Sequence, residues 1–308
     1  MTPPPAPAAR LAYLLAALPP LFWAGNFVVA RLMRDDIPPI QMSFWRWLVA
    51  FLILLPFGLA QFRAELSQVR KEGPFLALLG LIGVTAFNCL VYEALRHTTV
   101  INAALINSTM PVATFLLALA LLGDRLAPRQ VLGVLLSLSG AVAIIGRGDP
   151  AYLMGLAFNG GDLLVVGGLT FWALYTVLIR WRPTKLSLMA FLIATVGFGV
   201  LFHLPFLFFE LRAFGPFALT GTRAAAIVFF AVFPSVLAYI CWNKAVAALG
   251  PGRTGMFMHL MPLCSAALGW GFLDEPFLLY HAVGMGLIFC GILLVTRPVK
   301  VAAGGGTV

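Results

Sequence analysis

Residues 22–31 read FWAGNFVVAR and residues 171–180 read FWALYTVLIR. Phe22-Trp23-Ala24 thus returns as Phe171-Trp172-Ala173, and Arg31 returns as Arg180, both at a spacing of 149. Outward from these two stretches, each copy holds five apolar spans. The ten lie at 11–33, 40–61, 74–95, 101–122, 131–145, 162–179, 186–209, 224–242, 255–273 and 277–295. Each approaches the roughly 20 apolar residues that carry a helix across about 30 Å of hydrocarbon. An odd number of crossings per copy places the second copy upside down relative to the first. That is an inverted repeat, a construction used by secondary transporters.

Composition agrees with a membrane chain: 61% of the 308 residues are hydrophobic and 10% charged, and the mean hydropathy is +0.99, far from the balance of a soluble domain. The predicted fold is all-α and integral to the membrane, ten transmembrane helices in two inverted five-helix repeats around a central cavity, with both termini cytoplasmic. Its parts are a flexible tail over 1–10, the first repeat over 11–147, a connecting loop over 148–161, the second repeat over 162–297 and a C-terminal tail over 298–308. The first span is longer than a typical signal-peptide apolar region and belongs to the repeat, so it reads as a retained helix. Cys89, Cys241, Cys264 and Cys290 all lie in spans without a Cys-x-x-Cys pair or a nearby His at ligand spacing. They read as small packing residues, and neither a metal nor a cofactor is expected.

A net charge of +9 could suggest a nucleic-acid partner, but its distribution points elsewhere. With the N-terminus in the cytoplasm, 13 Lys and Arg fall at cytoplasmic span ends and 6 on the other side, with Arg46 inside the second span. The bias follows the positive-inside rule, so basicity here is a topology signal and the surroundings are lipid.

Later spans align at a spacing of 151: Pro111 meets Pro262, Gly133 meets Gly284, Gly140 meets Gly291, and Asp124 meets Glu275. An acidic residue suits the positive N-terminal end of a helix, and the glycines permit close helix contact. The ten-span layout, the Phe-Trp-Ala of each first helix, the Pro of each fourth, and the acidic residue followed by two glycines in each fifth resemble the drug/metabolite transporter superfamily, EamA-type exporters. Within it, the chain is most similar to bacterial aromatic amino acid exporters of the inner membrane. The second half departs from the first where Asp124-Arg125 is matched by Glu275-Pro276, so no shared charge pair follows there.

Polar residues inside spans are costly and are expected to face protein or water. Trp23 and Asn26 share a face at i, i+3, and Trp172 and Tyr175 match them. Asn88 and Tyr92 share a face at i, i+4, and Tyr239 and Asn243 match them with the residue types exchanged. Leu105 and Ser108 correspond to Met256 and His259. Six helices therefore direct polar or aromatic faces toward one midplane region, read as a substrate site. Rings, amides, phenols and one imidazole suit a neutral amphipathic amino acid such as Phe, Tyr, Trp, Met or Thr. The alternatives are interfacial anchoring for Trp23 and Trp172, and interhelical hydrogen bonding for Asn88, Tyr92, Tyr239, Asn243 and His259. Arg46, between Trp45 and Trp47, is expected to reach outward or pair with Asp35 or Asp36 rather than touch solute. Glu93 and Lys244, at span ends, read either as gates or as solvated termini.

Gly83, Pro111, Pro234 and Pro262 are the expected bending points. With His259 and Glu93 as the titratable candidates, facilitated diffusion or exchange is favoured over obligatory proton antiport. A multidrug exporter for cationic amphiphiles is the alternative function, although it would want a carboxylate in the cavity. An enzyme is disfavoured, because no His-Glu-x-x-His, Gly-x-Ser-x-Gly or Cys/His set occurs. Two complete halves in one chain can enclose a cavity, so a monomer is expected.

Overall fold

The computed structural model describes residues 6–296 other than 34, 95, 99, 125–126 and 273–277. Among the described residues every regular element is helical. The α-helices are α1 (Ala6–Met33), α2 (Pro39–Ala64), α3 (Leu66–Gly80), α4 (Phe87–Ala94), α5 (Val100–Ser108), α6 (Met110–Leu122), α7 (Pro128–Ile145) and α8 (Pro150–Met154). They continue with α9 (Gly160–Trp181), α10 (Leu188–Phe214), α11 (Gly221–Phe230), α12 (Ala238–Leu249), α13 (Pro251–Gly255), α14 (Leu260–Phe272) and α15 (Leu279–Thr296). A π-helical segment, Leu81–Ala86, joins α3 to α4, another, Ala231–Leu237, joins α11 to α12, and a 3₁₀ segment, Met256–His259, joins α13 to α14. Nine helical segments of the described residues are long and apolar enough to cross a membrane. Of the stretch expected as a span at 255–273, residues 255–272 are occupied by the end of α13, the 3₁₀ segment and α14, and residue 273 lies outside the described set. Glu275 and Pro276 also lie outside it.

Local chemistry sets the helix ends. Ser187 accepts from the Ala190 N–H, and Asn159 caps α9 while Asp162 accepts from the Asn159 N–H at 2.6 Å. Gly123 closes α6 with φ 70°, a left-handed conformation that glycine adopts without strain. Two boundaries differ most from expectation: the eighth span, expected to end at residue 242, continues as α12 to Leu249, and the third, expected from residue 74, begins with α3 at Leu66 and carries Pro74 inside it. Residues 66–73 are too polar to register as apolar span. They are held as helix by contacts outside it, Glu65 accepting from the Ser187 N–H at 2.7 Å and Glu72 from the Thr184 hydroxyl.

The main core lies among α2, α3, α9, α10 and α12, around Trp47, Leu79, Trp172, Leu192 and Trp242. Glu210 of α10 accepts from the Ile40 and Gln41 N–H groups at 3.0 and 2.7 Å, capping α2 with a carboxylate that suits the positive end of its dipole. On another side, α7 and α15 pack antiparallel through the glycines. A Cβ on Gly133 would lie 2.7 Å from the Gly291 carbonyl oxygen, and one on Gly284 would lie 2.7 Å from that of Gly140. These two contacts exchange under the spacing of 151, and neither leaves room for a side chain.

Candidate functional site

Trp172 is the hub of the interior. Its ring centroid lies 5.2 Å from Trp23 at 88°, 5.2 Å from Phe87, 5.3 Å from Tyr175, 5.3 Å from Tyr239 and 5.6 Å from Trp242. Five ring contacts, each worth roughly 0.5–1.5 kcal/mol beyond area burial, hold it in place. Trp23, Phe87, Trp172 and Tyr239 form the aromatic wall of a cavity of about 60 Å³. At some 10–15 Å³ per water centre, that space takes a few waters and not an aromatic amino acid.

The same cavity has polar lining as well. Arg46 of α2 is only 3% exposed. Its Nη1 donates to the Tyr92 hydroxyl at 2.8 Å and to Asn26 Oδ1 at 3.3 Å, and its Nε to Ser235 Oγ at 3.1 Å. All of these except Ser235 line the cavity, together with Asn88 and Asn107. Two lining atoms, the Trp172 Nε1 donor and the Asn107 Oδ1 acceptor, are buried without a hydrogen-bond partner among the described residues.

The rings are tied to the irregular helical segments. Trp23 Nε1 donates to the Pro234 carbonyl at 2.9 Å, and the Tyr239 hydroxyl donates to the Gly83 carbonyl. Gly83 and Pro234, 151 apart, sit inside the two π segments, so each half's aromatic wall holds the other half's irregular turn. Proline at 234 removes the N–H that would serve the Phe230 carbonyl, and the Ser235 hydroxyl serves it instead at 2.8 Å. Pro111 stands at the start of α6, just after the break at Thr109, and Pro262 near the start of α14, just after the 3₁₀ segment. All four expected bending points thus adjoin a departure from regular α-helix.

Of the residues singled out from sequence, the structure gathers Trp23, Asn26, Asn88, Tyr92, Trp172 and Tyr239 on one cavity. It places the other five away from that lining. Tyr175 and Asn243 bond each other, Asn243 Nδ2 donating to the Tyr175 oxygen at 3.0 Å, behind the ring of Trp172. Met256 packs with Phe115, Val134 and Val295. His259 is fully buried, its Nε2–H donating to the Ser108 carbonyl at 2.8 Å while the Ser137 hydroxyl, at 2.7 Å, donates to Nδ1. His203 is likewise enclosed, donating from Nδ1 to the Gly199 carbonyl and accepting from Ser43. Glu93 is a half-exposed helix-end residue paired with Arg96 and His97, and Lys244 is exposed.

The lining also holds Arg46, expected to lie away from the solute, and Asn107, Met110, Met258 and Met261, which the matched polar faces do not include. Expected to reach outward or pair with Asp35 or Asp36, Arg46 instead turns inward because Asn26, Tyr92 and Ser235 offer three acceptors there, whereas Asp36 is engaged by Arg223. For the other four the signal was available: Asn107 and Met110 correspond to Met258 and Met261 at a spacing of 151 and share a face at i, i+3. The face chosen from sequence, with Ser108 and His259, was rotated from theirs by one residue. Helical position alone does not decide between them next to the breaks at Thr109 and the 3₁₀ segment.

The EamA-like transporter family matches residues 10–146 and 159–297. The uncharacterized transporter YyaM of Bacillus subtilis (strain 168) is 27% identical, over 91% of this chain and 92% of that protein. An uncharacterized transporter of Archaeoglobus fulgidus is 28% identical, over 92% and 96%. A probable terminal-alkyne amino-acid exporter of Streptantibioticus cattleyicolor is 27% identical, over 89% and 90%. A solved crystal structure superposes with a TM-score of 0.75 over 92% of this chain and 96% of that one, at 21% identity, and so shares the fold.

Proposed function

Because this chain belongs to the EamA-like transporter family, we propose that it exports neutral amphipathic amino acids, aromatic ones among them, by alternating access through the cavity beneath Trp172. The observation that carries this reading is the lining itself: the rings of Trp23, Phe87, Trp172 and Tyr239 together with Arg46, Asn26, Asn88 and Tyr92. Such a site offers stacking to an apolar side chain and hydrogen bonds to its polar head. The terminal-alkyne amino-acid exporter among the relatives supports the substrate class.

The proposed architecture is ten spans in two inverted five-helix halves, with both termini in the cytoplasm of a bacterial cell and the chain a monomer in the inner membrane. Two family matches of similar length support the two halves. The exchange of the contacts Gly133 to Gly291 and Gly284 to Gly140 is what a pseudo-twofold axis would produce. Solute entering the cavity must widen it. Displacing Trp23 or Tyr239 would release the Pro234 and Gly83 carbonyls, so the π segments would bend as the site opens. Pro111 and Pro262 would take up the remaining bend as gating positions. Among the described residues no carboxylate and no histidine lines the cavity, which favours facilitated diffusion or exchange over obligatory proton antiport. A guanidinium in the lining, with no carboxylate, also disfavours cationic drugs.

Counterflow in proteoliposomes tests the reading. Vesicles loaded with unlabelled Phe, Thr, Lys, a nucleotide sugar or a quaternary ammonium dye are diluted into the labelled solute without ion gradients. Exchange of neutral amino acids alone is the expected result, and exchange of the dye alone refutes it.

A further inference from the structure

We infer that Arg46 is the anchor for a carboxylate on the transported solute, which makes the site selective for small molecules carrying that group. The inference rests on the transport reading and narrows its substrate class.

A guanidinium stays charged at any physiological pH, and a charge inside a membrane span is costly unless it is paired or faces protein or water. Arg46 is 3% exposed, yet Ser235, Asn26 and Tyr92, the groups it bonds, are all neutral. The face of Trp47, 5.1 Å from its Cζ, is neutral as well. Among the described residues no carboxylate lies within ion-pair distance of it, and its Nη2 bonds none of them. The charge therefore stands at the cavity wall without a counter-ion, with one nitrogen of its fork uncommitted.

The other half of the protein shows that the neighbours do not need this charge. Asn26 and Tyr92 correspond to Tyr175 and Asn243. That second pair satisfies itself directly, with hydrogen bonds of 3.0 and 3.2 Å. In the first half the same two chemical groups both turn to Arg46 instead. A structural polar pair is available without a cation, so the cation's use lies in the cavity.

The rest of the lining complements an α-amino acid. The uncommitted Nη2 of Arg46 can donate a charged hydrogen bond to a carboxylate, the buried unpartnered Trp172 Nε1–H is a second donor, and the buried unpartnered Asn107 Oδ1 is an acceptor suited to an ammonium. The rings of Trp23, Phe87 and Trp172 take the apolar side chain.

The test uses the reconstituted wild-type chain and four labelled probes of one skeleton: Phe, 3-phenylpropionate, phenylalaninamide and phenethylamine. Phe should exchange, and the two probes without a carboxylate should compete with it on the order of ten- to a hundredfold more weakly, as expected for a lost charged hydrogen bond. Arg46→Gln, checked for monodispersity, should abolish that preference, and Arg46→Lys should keep part of it. Equal competition by Phe and phenylalaninamide in the wild type overturns the inference and leaves the transport reading standing. Exchange of 3-phenylpropionate without Phe upholds the Arg46 anchor and defeats the amino-acid reading instead. Exchange of phenethylamine alone defeats both. A folded Arg46→Gln that still prefers Phe over phenylalaninamide also overturns the inference, and if that variant does not fold the wild-type competition decides.

Discussion

Replacing Gly291 by alanine tests the packing of α7 on α15 most directly. The new Cβ would lie 2.4 Å from the Gly133 carbonyl oxygen, 2.6 Å from Ser137 Cβ and 2.7 Å from Ser137 N, where ordinary contact begins near 3.4 Å. Two of these neighbours are backbone atoms and the third is a Cβ, so no rotamer change relieves the overlap. The helices must part by about 1 Å, and a gap of that size forfeits roughly a quarter to a half of each dispersion contact along the seam. Overpacking of this kind costs about 1–3 kcal/mol, offset in part by the gain of up to about 1 kcal/mol when alanine replaces glycine in a helix. Gly286, on the same helix, is the control, since a Cβ there meets nothing within 4 Å. At roughly 2–4 °C per kcal/mol for large domains, the thermal midpoint in detergent should fall on the order of 2–8 °C for Gly291→Ala. It should hold or rise slightly for Gly286→Ala. Equal midpoints for the two variants, followed by the solubilised chain's loss of monodispersity on heating, would refute the close-contact account.

Three further outcomes follow from named contacts. Tyr239→Phe removes the donor to the Gly83 carbonyl, which should cost about 1–3 kcal/mol and alter the counterflow rate more than the apparent KM; an unchanged rate would detach the π segments from transport. Tyr92→Phe and Tyr175→Phe each delete a buried hydroxyl, but only Tyr92 lines the cavity, so the first should raise the apparent KM and the second should lower thermal stability at unchanged KM. Glu210→Ala uncaps the α2 N-terminus at Ile40 and Gln41 and should lower the thermal midpoint by the equivalent of about 0.5–2 kcal/mol, with Glu210→Gln falling between it and the wild type. For the bending points, Pro234→Ala is the usable probe. A larger residue at Gly83 would place its Cβ 2.4 Å from the Tyr175 ring and disturb the aromatic core together with the hinge.

Much of the frame was legible in the chain itself. Span length and hydropathy are local quantities, so the apolar helices could be read one at a time, and the glycines of α7 and α15 could be assigned to close packing from their spacing. The correspondence of positions across the two halves was legible too, because it is a property of the string. Six residues of the cavity wall, Trp23, Asn26, Asn88, Tyr92, Trp172 and Tyr239, lie on faces that the correspondence singled out.

What the string could not carry is which member of a matched pair opens to the cavity and which closes on itself. Asn26 and Tyr92 correspond to Tyr175 and Asn243, yet a guanidinium from α2 separates the first pair and nothing separates the second. That difference depends on Arg46 reaching Ser235, 189 positions away. The inward turn of Arg46 and the rotation that exposes Asn107 and Met258 rather than Ser108 and His259 were likewise decided only in three dimensions. A buried charge settles where the packed helices bring acceptors together, and a helical face points where the breaks on either side of it allow. Sequence spacing along one helix contains neither quantity, because both are set by contacts between helices far apart in the chain.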